Sequence, residues 1–187
     1  MRIISGKFKK RKLFSVEGNS TRPTTDAVKE SIFSILQDCE DLEVLDLYAG
    51  SGSLGFEALS RGAKHVEFVD FAQNAIGAMK QNIEKLSCGD LCHINRKKVS
   101  AFISKTEKKF DLIFVDPPYN KNLIMPTITA IFENDLLKME GELVVEHYKF
   151  EKISEELQEQ VVLYKDYGST CITILKNRIE RENDEDL

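Results

Sequence analysis

Hydrophobic positions along the chain follow two alternating patterns. Short apolar runs at Val44-Leu45-Asp46-Leu47-Tyr48, Val66-Glu67-Phe68-Val69-Asp70, Phe110 to Val115 and Leu143-Val144-Val145-Glu146-His147 read as strands, the last introduced by Gly141. Between them, apolar residues recur at helical spacing. Val28, Ile32, Phe33, Ile35 and Leu36 predict a helix over residues 25–37, entered through the turn and cap signal Thr21-Arg22-Pro23-Thr24-Thr25-Asp26. Leu54, Phe56, Ala58 and Leu59 predict a second, Ile76, Met79, Ile83 and Leu86 a third, and Leu123 to Leu137 a fourth. A weaker strand is expected near Leu91 to Ile94, and Val161 to Tyr167 with Thr170 to Leu175 form a hairpin around Gly168-Ser169. Strands alternating with helices predict an α/β, doubly wound and mainly parallel sheet, and the terminal hairpin predicts an antiparallel edge.

A chain of 187 residues that is 42% hydrophobic buries one substantial core. The expected organisation is a main domain over 21–176, a small basic amino-terminal hairpin extension over 1–20 and an acidic, disordered tail over 177–187. The net charge of -5 excludes a generally basic coat, yet Arg2, Lys7, Lys9, Lys10, Arg11 and Lys12 all precede the first acid, Glu17. This asymmetry makes Lys7, Lys9, Lys10, Arg11 and Lys12 the candidate nucleic-acid contact. Interleaved Phe8, Leu13 and Phe14 predict that the segment is partly packed; an ordinary solvated face is the plainer reading of its charges. Four cysteines without C-x-x-C spacing and without an apolar leader point to reduced thiols and a cytoplasmic protein. Cys88, Cys92 and His93 lack a fourth ligand at zinc-site spacing, so no metal is expected. No apolar run approaches the length that spans a bilayer.

Two motifs carry chemistry. Gly50-Ser51-Gly52-Ser53-Leu54-Gly55 has the G-x-G-x-x-G spacing, follows a strand, opens a helix and is followed about 20 residues later by Asp70. Glycines let the backbone turn tightly and approach a ligand, and an acid at the next strand end suits ribose hydroxyls. Both NAD and S-adenosylmethionine present that ribose. Asp46 favours the second, because a carboxylate there suits a cationic methionine moiety and opposes a pyrophosphate; it could instead cap the loop. Tyr48 lines either the cofactor pocket or the core. Asp116-Pro117-Pro118-Tyr119, delivered to a strand's carboxyl end, combines a carboxylate, a rigid backbone and a stacking ring. Such a clamp suits a planar base with an amino group. A rigid strand-end loop with Tyr119 on the core is the plainer alternative.

Val44 to Gly55, Glu57-Ala58-Leu59-Ser60-Arg61-Gly62-Ala63 and Asp116 to Tyr119 resemble the bacterial 16S ribosomal RNA guanine-N2 methyltransferase family. Arg2-Ile3-Ile4-Ser5-Gly6-Lys7, Arg11-Lys12-Leu13 and Arg22-Pro23-Thr24-Thr25-Asp26 look like its opening signature. The resemblance implies a Rossmann-like class I S-adenosylmethionine-dependent methyltransferase acting on 16S ribosomal RNA or a small-subunit assembly intermediate, without an obligate protein partner. It implies cofactor contacts from Asp46, Gly50, Gly52 and Asp70, with Arg22 and Thr24 bordering the cofactor; Tyr48 and Ser51, in the same loop, are further candidates. Asp116, Pro117 and Tyr119 would hold the target base. The chain departs from the pattern after its third strand, where Arg96-Lys97-Lys98-Val99-Ser100 offers no acid for the adenine amino group. An N6-adenine DNA methyltransferase needs the same clamp, and a noncatalytic RNA-binding or ribosome-assembly module could keep the same fold.

Overall fold

A computed structural model describes residues 1–16, 26–36 and 38–177. Helix α1 (Asp26–Leu36) precedes β1 (Glu43–Leu47), α2 (Ser53–Ser60), β2 (His65–Asp70), α3 (Gln73–Leu86), β3 (Cys92–Arg96), α4 (Val99–Ile103), β4 (Phe110–Val115), α5 (Ile124–Glu133), β5 (Leu137–Tyr148), β6 (Val161–Asp166) and β7 (Thr170–Lys176). The strands form one sheet in the order β3-β2-β1-β4-β5-β7-β6. Neighbours from β3 to β5 are parallel, whereas β7 runs antiparallel to β5 and β6. The mainly parallel sheet with an antiparallel edge is therefore as the alternation of patterns predicts.

Strand alternation sorts the core onto two faces. Val44, Val66, Phe68, Leu112, Phe114 and Val144 meet α1, α2 and α3 on one side; Leu45, Leu47, Ile113, Val115 and Val145 meet α4 and α5 on the other. Helices on both faces explain why the central strands read as continuous apolar runs rather than alternating ones.

Three elements differ from expectation. The helix predicted to reach Leu137 stops at Glu133, because Asp135 takes a left-handed φ of 51° and Leu136 turns back to accept the Phe110 N–H at 2.8 Å. Strand β5 consequently starts at Leu137, before Gly141. Helix α4 is only 5 residues long, too short to display a period.

The amino-terminal residues fold over α2. Arg2 and Lys12 form an isolated antiparallel bridge around turns at residues 5–10, and Ile3, Phe8 and Leu13 are buried in the core. All 8 residues of α2 are buried, including Ser53, Glu57 and Ser60, so their polar groups need partners inside the protein. The covering segment supplies them. Glu57 accepts the N–H groups of Ile4 (2.7 Å) and Ser5 (3.0 Å), and the Arg61 guanidinium donates to it at 2.9 Å. Lys29, also fully buried, lies 3.7 Å from Glu57 and donates to the Arg2 carbonyl (2.6 Å) and Ser53 Oγ (3.1 Å). The Phe8 N–H reaches Ser60 Oγ at 2.9 Å and the Lys7 N–H reaches the Ser60 carbonyl at 2.7 Å. Gly6 permits this approach, since a Cβ there would lie 1.7 Å from the Ser60 oxygen.

Candidate active site

Sheet order reverses between β1 and β4, which opens a crevice outside their carboxyl ends. Leu47 is in register with Val115, so Tyr48 and Asp116 leave neighbouring strands side by side. The glycine loop and the Asp-Pro-Pro-Tyr clamp therefore share one edge, although 64 residues separate Gly52 from Asp116 in sequence.

Tyr48, Gly50 and Gly52 all have positive φ, at 59°, 56° and 81°. A bulky residue rarely adopts this conformation. Tyr48 is fixed there by packing toward α5 and by a 2.7 Å hydrogen bond between its hydroxyl and Thr127 Oγ1. A Cβ at Gly52 would lie 2.6 Å from the Phe56 ring, and one at Gly55 would lie 2.3 Å from Phe68; the latter glycine brings α2 down onto β2. At Gly50 a Cβ would meet only the Tyr48 carbonyl oxygen, 4.0 Å away, leaving the backbone approachable from that side.

Two carboxylates brace the loop. Asp46, 2% exposed, accepts the Gly55 N–H at 2.9 Å and thereby satisfies an amide in the first turn of α2 from the strand below. Asp70 accepts the N–H groups of Gly50 and Ala72, each at 2.9 Å, so it ties the glycine loop to the start of α3 and still has acceptor capacity. Phe71, directly after it, is 64% exposed and offers an apolar face at the crevice edge. The Ser51 side chain is buried, and its carbonyl accepts from Asn82 Nδ2 at 3.0 Å. Asn82 is itself fully buried and also exchanges hydrogen bonds with the Phe14 backbone, accepting at 2.7 Å and donating at 3.0 Å. One amide side chain thus joins the amino-terminal cover to the glycine loop.

Burial pushes the Asp46 carboxyl up to about 8, against the opposing effect of the Gly55 hydrogen bond. An acid whose pKa rises on folding contributes stability at low pH that is lost as pH climbs from its unfolded value, ~3.9, through its folded one. Asp46→Asn should retain an acceptor for Gly55 and remove this loss. Urea unfolding at pH 5, 7 and 9 should show the variant gaining on the wild type with rising pH; a constant difference would contradict the assignment.

In the clamp, Asp116 is half-buried, Pro117 buried and Pro118 exposed. The Tyr119 hydroxyl bonds Thr170 Oγ1 at 2.9 Å and donates to Glu146 at 3.3 Å, and burial raises its pKa to about 12, so it stays a neutral phenol. Its ring is consequently positioned by β5 and β7. Asn120 and Asn122 turn the following loop with φ of 57° and 51°, a conformation asparagine tolerates better than most residues. His147 is buried, with Nε2 2.9 Å from Thr173 Oγ1 and Nδ1 3.2 Å from the Tyr148 carbonyl, and desolvation lowers its pKa. These contacts give it a structural place within the sheet.

Lys7, Lys9, Lys10, Arg11 and Lys12 are all exposed, with Lys7 and Arg11 over the Phe8 ring at 5.0 and 5.7 Å. Arg22 and Thr24 lie outside the described residues, as does the acidic tail beyond Asn177. A cleft of about 280 Å³ lined by Leu36, Asp111 and Met139 sits at the amino ends of β1 and β4, at the far end of the sheet from these groups. Among the described residues no group of three or more His, Cys, Asp or Glu is placed to hold a metal, and no helix is long and apolar enough to cross a membrane. Lys29, Glu57, Asn82, Thr170 and Phe71 are not among the site residues expected from the sequence. Glu57 carried a usable signal, being an acid within an otherwise apolar turn of helix, and Phe71 another, as an aromatic residue just past a strand-end acid.

Known proteins share this architecture. The family model described as "Conserved hypothetical protein 95" matches residues 1–176. The Bacillus subtilis (strain 168) protein named "Putative rRNA methyltransferase YlbH" is 41% identical over 95% of this chain and 100% of its own. Ribosomal RNA small subunit methyltransferase D of Haemophilus influenzae is 37% identical over 80% of this chain and 79% of its own. The solved Escherichia coli structure "Putative methyltransferase yhhF" superposes with a TM-score of 0.83 at 29% identity, covering 95% of this chain and 98% of that one. The glycine loop, the strand-end acid and the Asp-Pro-Pro-Tyr turn thus lie on a sheet common to Rossmann-like methyltransferases, and the chain belongs to the Conserved hypothetical protein 95 family, that of the bacterial ribosomal RNA small subunit methyltransferases D.

Proposed function

We propose that the protein transfers a methyl group from S-adenosylmethionine to the exocyclic N2 of a guanine in 16S ribosomal RNA. The observation that carries this reading is the meeting of the glycine loop and the Asp116 clamp at the β1–β4 switch point, in a chain related to small-subunit ribosomal RNA methyltransferases. The residues present suit the cofactor. Gly50 leaves its backbone approachable, Asp70 keeps acceptor capacity for ribose hydroxyls, and Phe71 provides an apolar wall where no acid follows β3. Gly52 and Ser51 shape the turn, and Asp46 acts from beneath it by holding Gly55. By the family resemblance, Arg22 and Thr24 would complete that border. When bound, S-adenosylmethionine supplies an electrophilic methyl group.

The chain's own task is to make a poor nucleophile reactive. A guanine amino group delocalises its lone pair into the ring. Asp116 and the Pro117 carbonyl each accept one of its N–H groups, favouring a pyramidal nitrogen, while the Tyr119 ring holds the base plane. Much of the acceleration then comes from orientation. The methylated nitrogen is strongly acidic and loses its proton to Asp116 or water. The target base must be flipped out or already unpaired to reach the clamp. Lys7, Lys9, Lys10, Arg11 and Lys12 would meet RNA phosphates. On this reading the enzyme works in the cytoplasm on ribosomal RNA or an assembling small subunit.

The test offers labelled S-adenosylmethionine with unmodified small subunits, free 16S ribosomal RNA and DNA, and identifies the modified nucleoside by mass. N2-methylguanosine in ribosomal RNA is expected, and reversing Lys9, Lys10 and Lys12 to Glu should flatten the salt dependence of RNA binding. N6-methyladenine in DNA, or no transfer at all, would overturn the proposal.

A further inference from the structure

Strand β5 ends beside the clamp with a second aromatic step. Tyr148 lies three residues beyond Val145, the register partner of Val115, and its ring centroid is 5.9 Å from that of Tyr119. Phe150 follows at 5.2 Å from Tyr148, edge-on, and is 70% exposed. A hydrogen-bonded turn presents it. The Glu151 N–H donates to the Tyr148 carbonyl at 2.8 Å, closing a turn whose two corners are Lys149 and Phe150. Tyr148 is paired with Thr170 in the sheet, and the Lys149 N–H reaches the Ser169 carbonyl at 3.3 Å. The Lys149 ammonium sits 5.3 Å from the centre of the Phe150 ring.

We propose that Tyr148, Lys149 and Phe150 form a stacking platform for the unpaired nucleotide adjacent to the target base, an inference that rests on the RNA-methylating reading above. A phenyl ring 70% exposed just past the end of a central strand adds little to the core. With a cation over it, the ring matches the two parts of a nucleotide: a π-face for the base and a positive charge for its phosphate. A protein partner is the poorer fit, since stable interfaces take about 800 Å² from each side and this feature is one ring and one ammonium. The platform continues the clamp outward from Tyr119, so the target base and its neighbour would occupy consecutive aromatic positions.

The test uses a short single-stranded oligoribonucleotide containing guanine, with its duplex as the control. Phe150→Ala should weaken binding of the single strand roughly 5- to 150-fold, the range for loss of one stacked base, with S-adenosylmethionine affinity unchanged. Phe150→Trp should restore binding. It also introduces the sole indole into a chain without tryptophan, and its emission should be quenched by the single strand and not by the duplex. Alanine binding as tightly as wild type, or tryptophan emission unchanged at saturation, would overturn the platform. If the wild type meanwhile methylates RNA, the reaction stands and only the platform fails; if the wild type transfers no methyl group to any RNA, both fall.

Discussion

Asp116→Ala should reduce methyl transfer by roughly a hundred- to a thousandfold, the scale for removing one preorganised polar group at a reacting centre, with S-adenosylmethionine affinity by calorimetry unchanged. The reason is positional. Asp116 follows Val115, the register partner of Leu47, so it leaves β4 beside the residue that opens the glycine loop, while that loop is braced by other side chains: Gly50 by Asp70, Gly55 by Asp46 and Ser51 by Asn82. In the proposed mechanism its loss removes the acceptor for the amino group and leaves those three braces of the glycine loop in place. Asp116→Asn keeps one carbonyl acceptor and should fall between alanine and wild type. Equal loss in both variants would mean that the charge, rather than the hydrogen-bond geometry, is what the reaction uses. An alanine variant that turns over normally would remove Asp116 from the mechanism.

The second large effect is on folding. Glu57 and Lys29 are both fully buried, and burial lowers the Lys29 pKa while Glu57 opposes that shift. Glu57→Ala removes the buried ammonium's counter-charge and leaves the Ile4 and Ser5 N–H groups without their acceptor. Breaking one partner of a buried pair costs about 3–5 kcal/mol, set against a total stability of about 5–15 kcal/mol for a domain. Urea unfolding should show a loss of that size. Adding Lys29→Met to Glu57→Ala should recover part of it, because the unpaired charge disappears. Additive losses, or a single-variant loss below about 1 kcal/mol, would mean that water reaches the pair.

Legibility in the sequence followed the physics of burial. Strand β4 was readable to the residue because Phe110 to Val115 is covered on both faces, so apolar character runs without interruption. Strand β3 was readable only approximately, since it is an edge strand whose His93 faces solvent and whose Ile94 and Asn95 are half-buried. The residues that meet at the crevice were legible because the glycines, Asp70 and Asp116 stand in short motifs at strand ends. What stayed hidden depends on distant chain. Lys29 and Glu57 look like the solvated face of two helices until residues 2–5 are laid across them. Asn82 sits in a helix at an unremarkable position, and nothing local announces partners 31 and 68 residues away. The stacking ring of Tyr119 was legible in its motif, but not that Thr170 and Glu146 anchor its hydroxyl.

Asn82 has a thermodynamic corollary. Its single carboxamide holds Phe14, at the end of the cationic cover, and Ser51, inside the glycine loop. On the proposed reading, RNA on the one side and cofactor on the other act on one shared set of hydrogen bonds. Whatever factor RNA confers on cofactor affinity through that amide, the cofactor must confer on RNA affinity in equal measure.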